Sequence, residues 1–208
     1  MRTGKGFKKM GKFLFIADNL ALDLVNTEMV SDGQRIDALQ TPDDLRAWLA
    51  QAPTRKEPHN HSSKLDAKEW ASLFREALAL RSAMRLIAAA IVEKRQIPRA
   101  SLGVINRLLR SVPLHREIAC VANRCEWSER FTDGSPNAML YPVARAAGDL
   151  LVEGKFDRVK RCGNPECILF LYDTTRSHTR QWCSMSACGN RMKVAAFYER
   201  QRARKAIR

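Results

Sequence analysis

The strongest pattern along the chain is helical. Trp70, Leu73, Phe74, Ala77, Leu80, Met84, Ile87 and Ile91 recur at intervals of three and four, predicting one long helix from about Asp66 to Gln96. Asp66 and Glu69 stand at capping-box spacing at its start, and Pro98 ends it. A shorter helix is predicted for "TPDDLRAWLAQA". Thr41 is its N-cap, Pro42 its first residue, Asp43 and Asp44 its acidic first turn, and Leu45, Trp48 and Leu49 its buried face. Leu102, Ile105, Leu108 and Leu109 mark a third helix over about Arg99 to Ser111, and "PVARAAGDLLVEG" a fourth, closed by Gly154.

Other segments are less regular. In "FLFIADNLALDLVNTEMV", residues 13–30, Leu20, Leu22 and Leu24 alternate like a strand, while Asn19, Asp23 and Asn26 fall at helical spacing. Periodicity leaves both readings open there. "SDGQRIDAL" and "APTRKEPHNHSS" read as loops, and "CEWSERFTDGSPNAMLYPV" carries an Asp-Gly turn suited to a small hairpin. The expected class is mainly α with minor β.

Charge divides the chain. Of 36 basic and 22 acidic residues, giving a formal net charge of +14, residues 1–12 hold five basic and no acidic groups. Residues 160–208 hold eleven basic groups against Glu166, Asp173 and Glu199, so the stretch between is nearly neutral. Clustered positive charge gains most by displacing counterions from phosphates, so a polyanion-binding end is expected. A solubilising tail is the plainer alternative. A hydrophobic fraction of 45% and a mean hydropathy of −0.35 fit a folded globular protein. No apolar run approaches the roughly 18 residues of a membrane span. The basic start followed by Phe13–Ala17 is too short for an export signal and is closed by Asp18 and Asn19, so a cytoplasmic protein is expected. There, cysteine clusters are more often metal ligands or buried thiols than disulfides.

Two Cys-x4-Cys pairs, Cys162/Cys167 and Cys183/Cys188, lie 15 residues apart. The first encloses Gly, Asn and Pro, which turn tightly, and the second is followed by Gly189, which can take positive φ. That arrangement suits one tetrahedral, four-thiolate structural Zn²⁺, with the four-residue gap at the loose end of the usual spacing. A unit of roughly 45 residues buries too little apolar surface to fold without such a staple. Buried, unligated thiols are the alternative. His178 is expected on an exposed turn rather than as a ligand, and Cys120 and Cys125, a third such pair without turn residues, are expected to be ordinary buried cysteines. His59, His61 and His115 have no partner visible in sequence.

After Cys188 the chain reads as a basic helix. Lys193, Arg200 and Arg204 share one line, Arg202 and Lys205 point elsewhere, and Val194, Phe197 and Tyr198 are expected to anchor it on the cysteine knuckle. With Arg176, His178 and Arg180 in the intervening turn, these cations are the expected phosphate contacts.

"CGNPEC", "FLYDTTRSHTRQWC" and "CGNRMK" together resemble the CGNR zinc finger, named for the segment that here is Cys188-Gly189-Asn190-Arg191. One departure is Gln181 between Arg180 and Trp182. "LALDLVNTE" followed by "TPDDLRAWL" is similar to the ABATE domain that precedes this finger, and residues 1–12 lie outside both. The resemblance implies a helical, sensory ABATE-like domain (13–157) and a treble-clef-like or ribbon-like zinc finger with a basic C-terminal helix (158–208), preceded by the basic extension (1–12) that it does not cover. It implies Cys162, Cys167, Cys183 and Cys188 as zinc ligands, Arg191 as a phosphate contact or a brace for the finger, and Asn26 and Thr27 as pocket residues. Asp23 joins them as a polar residue suited to line a pocket. The expected protein is a bacterial, cytoplasmic, DNA-binding transcription regulator that takes duplex DNA, with a small-molecule effector or a second copy as further partners and no membrane. The alternatives are an RNA- or protein-interaction module, or an enzyme using an N-terminal pocket. No nucleophile motif or phosphate-cradling glycine loop is present, and four thiolates would close the metal's coordination sphere, so no catalysis is expected.

Overall fold

A computed structural model describes residues 12–31, 33–53, 65–122, 124–131 and 135–206. Most of the basic N-terminal extension, the loop with His59 and His61, and Asp133-Gly134 lie outside these residues. Among the described residues the chain is mainly helical, with three small antiparallel hairpins.

The ambiguous N-terminal stretch holds both elements. Helix α1 (Leu20–Val25) is capped by Asn19, whose side chain accepts from the Ala21 and Leu22 amides, and strand β1 (Glu28–Ser31) follows. The expected loop "SDGQRIDAL" contains β2 (Gln34–Asp37), which pairs with β1 around Gly33 at φ 78°. Helix α2 (Pro42–Gln51) opens on the Thr41/Asp44 capping box, and α3 (Ala67–Val92) on the Asp66/Glu69 box. Each box satisfies two amides that a helix start leaves unpaired. Helix α3 ends before Pro98, with Lys94 at φ 53°. Helices α4 (Arg99–Arg110) and α5 (Tyr141–Val152) follow the apolar spacing.

The middle hairpin differs from expectation. Its strands are β3 (Leu114–Val121) and β4 (Arg124–Phe131), connected at residues 122–123 rather than at Asp133-Gly134. Ala122 takes the left-handed conformation at φ 51°.

Helix α3, about 39 Å long, is the axis of the fold. It packs against α1, α2, α4 and the last hairpin, formed by β5 (Val159–Arg161) and β6 (Phe170–Tyr172). Trp48, Leu22, Leu73, Leu80, Met84, Ile87 and Leu140 are fully buried around it. This core runs without a break into Leu169, Phe170 and the four paired cysteines near the C-terminus, so the expected body and finger share one apolar interior. A buried cation also sits in it. Arg81 on α3 donates to both carboxylate oxygens of Asp37 (2.6 and 2.8 Å) and to the Thr27 hydroxyl (3.0 Å), with Glu28 3.1 Å away. Partial burial raises the Asp37 carboxyl, but the hydrogen bonds from Arg81 and the Leu39 amide outweigh it and hold it below its ordinary value. No helix among the described residues is long and apolar enough to cross a membrane.

Candidate metal centre and nucleic-acid interface

Residues 162–189 put two cysteine-bearing turns face to face. Strand β5 delivers Cys162, whose amide donates to the Leu169 carbonyl (2.9 Å) and continues the hairpin ladder. The chain then turns through Gly163–Glu166, closed by Cys167 N–H on Asn164 O at 2.9 Å. After β6 and an exposed turn, Cys183 leads into a π-turn over Met185–Gly189, capped by the Ser184 hydroxyl and closed by Gly189 N–H on Ser184 O at 3.0 Å. This wide turn accommodates the four residues between Cys183 and Cys188, which explains the loose spacing. Helix α6 (Asn190–Ala206) starts directly from it. A cysteine-bearing turn, a short hairpin and a π-turn that runs directly into a helix make up the finger.

All four cysteines are free and buried, with sulfurs within 4.8 Å of one another. Tetrahedral zinc at about 2.3 Å from each sulfur needs S···S near 3.8 Å, which this cluster meets after small adjustments. Two donors already point at the sulfurs: the Cys183 amide at Cys162 Sγ and the Asn164 carboxamide at Cys188 Sγ, both at 3.3 Å. Such donors suit thiolates. Hydrogen bonding from Cys167, Cys183 and Cys188 holds the Cys162 thiol down, while sharing protons with Cys162 pushes Cys167 and Cys183 up. Four thiolates this close repel one another unless a dication sits among them, and a bound Zn²⁺ supplies that charge. Set, geometry and donors all fit one structural Zn²⁺.

Asn164, read from sequence only as a turn residue, is buried and has two tasks. Its oxygen accepts the Glu166 amide (3.1 Å) while its nitrogen reaches Cys188. The glycines also act differently from expectation. Gly189 does not take positive φ; a Cβ there would meet Met185 Sδ at 2.7 Å and the Trp182 ring at 3.1 Å. A Cβ on Gly163 would meet the same ring from the other side at 3.1 Å. Trp182 thus lies against both turns; a Cβ at Gly163 would press on its ring and on the Gln181 carbonyl (3.3 Å), whereas at Gly189 the nearest neighbour, Met185, is a half-exposed flexible side chain.

The exposed turn is tied from beneath by Asp173. This fully buried carboxylate accepts from Lys160 Nζ (2.6 Å), the Thr175 amide and hydroxyl (3.0 and 2.6 Å) and the Arg180 amide (2.9 Å). Burial alone would raise its carboxyl, but these donors, Lys160 first, hold it well below the usual carboxylate range.

The predicted site residues fall into three groups. Asp23, Asn26 and Thr27 are buried, and each is hydrogen-bonded within the chain. Asp23 Oδ1 accepts the Ile16 and Ala17 amides, and Thr27 bridges the Leu24 carbonyl and Arg81. Asn26 donates to the Phe170 carbonyl (2.8 Å) and accepts its amide (2.9 Å), so its carboxamide acts as a strand partner on the free edge of β6. Tyr172 N–H continues that edge to Ala17 O at 2.8 Å. Burial pushes the Asp23 carboxyl up to about 7, against the two amides that lower it. A cleft of about 630 Å³ does open nearby, between residues 16–18 and the finger turn, but none of the three lines it; its walls include Thr175, Ser177, Thr179 and Trp182.

In the turn, Arg180 faces inward. Its guanidinium donates to Asp18 (2.7 Å), to the Ile16 carbonyl (2.5 Å) and to the Cys183 and Trp182 carbonyls (2.7 and 3.2 Å). It fastens the finger to the N-terminal segment. The His178 ring meets the Arg158 guanidinium at 2.9 Å, while Arg176 is exposed.

The third group is on α6. Lys193, Arg200, Arg202 and Arg204 are exposed and make no ion pair with the described residues, and Arg191 lies 3.6 Å from Glu166. Val194, Phe197 and Tyr198 do not anchor the helix on the knuckle: they are half-exposed or more, with the Phe197 and Tyr198 rings edge to face. Helix α6 packs mainly on the π-turn from which it starts.

Residues 18–154 match the model of the ABATE family, described as "Putative stress-induced transcription regulator", and residues 158–201 match that of the CGNR zinc finger. No curated protein matches the sequence. The chain belongs to the ABATE family and carries a CGNR zinc finger as its C-terminal unit.

Proposed function

We propose that this protein is a transcription regulator that holds duplex DNA through the zinc-nucleated helix α6. The observation that carries this reading is the state of the cations on α6. A helix about 25 Å long leaves the metal centre with four exposed basic side chains that make no ion pair among the described residues, and Glu199 is the one acidic residue along it. Unpaired, exposed arginines on a rigid mount gain most from phosphate contact. Arg176 extends the cationic surface from the turn. Arg180, being engaged internally, positions the finger and adds no phosphate contact of its own.

Zinc here is structural: four protein thiolates leave no open position for a substrate, which favours a binding protein over an enzyme. A small-molecule effector would sit in the cleft between residues 16–18 and the finger turn rather than at the buried Asp23, Asn26 and Thr27. That cleft touches Arg180 and Trp182, so its occupant would act directly on the tie between body and finger.

The exposed stripe of Val194, Phe197 and Tyr198 favours a second reading, in which α6 docks on a partner protein. Mobility-shift titration of zinc-loaded protein on mixed-sequence duplex DNA over a salt series separates the two. DNA binding predicts a steep loss of affinity with salt; no retardation at low salt refutes it and leaves the partner-protein reading.

A further inference from the structure

The middle hairpin carries chemistry that the regulator reading does not use. Cys120 and Cys125 face each other across β3 and β4 with Cα atoms 4.0 Å apart, joined as a disulfide. Counting from the two-residue connection, Val121 and Arg124 form the closing hydrogen-bonded pair, which makes Cys120 and Cys125 the next, non-hydrogen-bonded pair. Their side chains therefore project from the same face, and both residues are exposed, contrary to the burial expected from sequence. The next pair on that face is Ile118 and Trp127, 67% and 69% exposed.

Three features separate this bond from a structural staple. It links residues only five apart, so it removes little freedom from the unfolded chain. The strands it joins pack chiefly on each other, and neither cysteine belongs to the core. The other four cysteines are buried and committed to the metal centre, leaving Cys120 and Cys125 as the accessible sulfurs. A two-stranded hairpin is marginal in water, and among the described residues this one packs chiefly on itself, so its order depends on this link more than the body does.

We propose that Cys120 and Cys125 are a reversible oxidation site, closed by peroxide and reopened by a dithiol. In closing, one thiolate attacks a peroxide oxygen, giving a sulfenic acid and one water; the second thiol then displaces the hydroxyl as a second water and forms the S–S bond. Two electrons and two protons leave the pair. In reopening, one thiolate of a dithiol attacks the disulfide to give a mixed disulfide. Its second thiol then releases the protein, which regains both thiols while the dithiol becomes a disulfide. The closed form holds Ile118 and Trp127 in fixed register, and the open form loosens the hairpin tip.

The test uses full-length, zinc-loaded protein under native conditions. Dithiothreitol with zinc in slight excess, then alkylation and peptide mapping, is expected to label Cys120 and Cys125 and leave the four metal-centre cysteines unlabelled, with about one zinc per chain retained. Hydrogen peroxide added after removal of the reductant is expected to close the pair again without loss of zinc. Trp127 lies next to the bond and should brighten on reduction; this gain should be missing from Trp127→Phe and from the Cys120→Ser, Cys125→Ser double variant. The double variant should melt within a few degrees of wild type, because the pair contributes nothing to the core. A pair that resists native dithiol, or that stays open under peroxide while the zinc-bound cysteines oxidise first, overturns the proposal.

Discussion

Asn26→Ala tests whether body and finger are one folding unit. The Asn26 carboxamide makes two buried hydrogen bonds to the main chain of Phe170, at 2.8 and 2.9 Å. Removing it deletes two bonds worth about 1 kcal/mol each and strands a buried N–H and C=O, each at a desolvation cost of about 1–3 kcal/mol. Allowing for partial relaxation, a loss of about 3 kcal/mol is expected. In a protein of this size that lowers Tm by about 6–12 °C. Asn26→Asp should lose a similar amount at neutral pH, because a carboxylate oxygen then faces the Phe170 carbonyl. It should recover partly in acid, where the protonated carboxyl can again donate. Calorimetry with zinc in slight excess is the assay, read alongside zinc release to a colorimetric chelator, which should quicken in both variants. If Asn26→Ala melts within 1 °C of wild type and holds zinc as tightly, the coupling of the two parts through β6 is refuted.

Asp23 should give the protein a pH-dependent stability. Its folded-state pKa of about 7 exceeds the ordinary 3.8 of the carboxyl, so the folded state binds the extra proton, and stability is lost as pH rises through 7. Between pH 5 and 8 the loss should be about 2–3 kcal/mol, and Asp23→Asn should flatten that part of the urea-denaturation profile; an unchanged slope rules out Asp23 as its source. Gly163→Ala should cost about 1–3 kcal/mol by overpacking against Trp182 and should speed zinc loss, whereas full wild-type stability would contradict that close approach. Cys162→Ser with Cys183→Ser should abolish zinc binding by metal analysis. Because the four sulfurs belong to the main core, it should also weaken packing in the body, seen as altered near-ultraviolet circular dichroism; a body unaffected by metal loss would separate the two parts.

What the sequence revealed follows from where side chains face. Helices with one apolar stripe and a capping box, such as α2 and α3, were legible to within a few residues because burial and caps leave local marks. The hairpins were not. Strand β3 is exposed or half-exposed throughout, so no alternation of apolar and polar residues marks it, and its connection uses Ala122 rather than Gly at positive φ. The ligand set was legible from spacing and turn residues, whereas the supporting polar contacts were not. Asn164 reaches Cys188 across 24 residues, Asn26 reaches Phe170 across 144, and Arg180 reaches Asp18 across 162. Such pairings leave no local pattern. The same long-range contacts changed the reading of Arg180 from a surface cation to an internal tie, and of Asn26 from a pocket wall to a strand partner.

The central claim is that phosphates are held by α6, and the salt dependence of DNA affinity tests it most directly. Each phosphate contact steepens the slope of log K against log salt by about 0.9. Arg200, Arg202 and Arg204 changed together to Ala should therefore weaken binding to all duplex sequences alike and flatten the slope by about 2–3. Arg180→Lys, whose site faces inward, should leave the slope unchanged as long as zinc is retained. A triple variant that binds with wild-type affinity and an undiminished slope would show that α6 is not the surface that holds DNA.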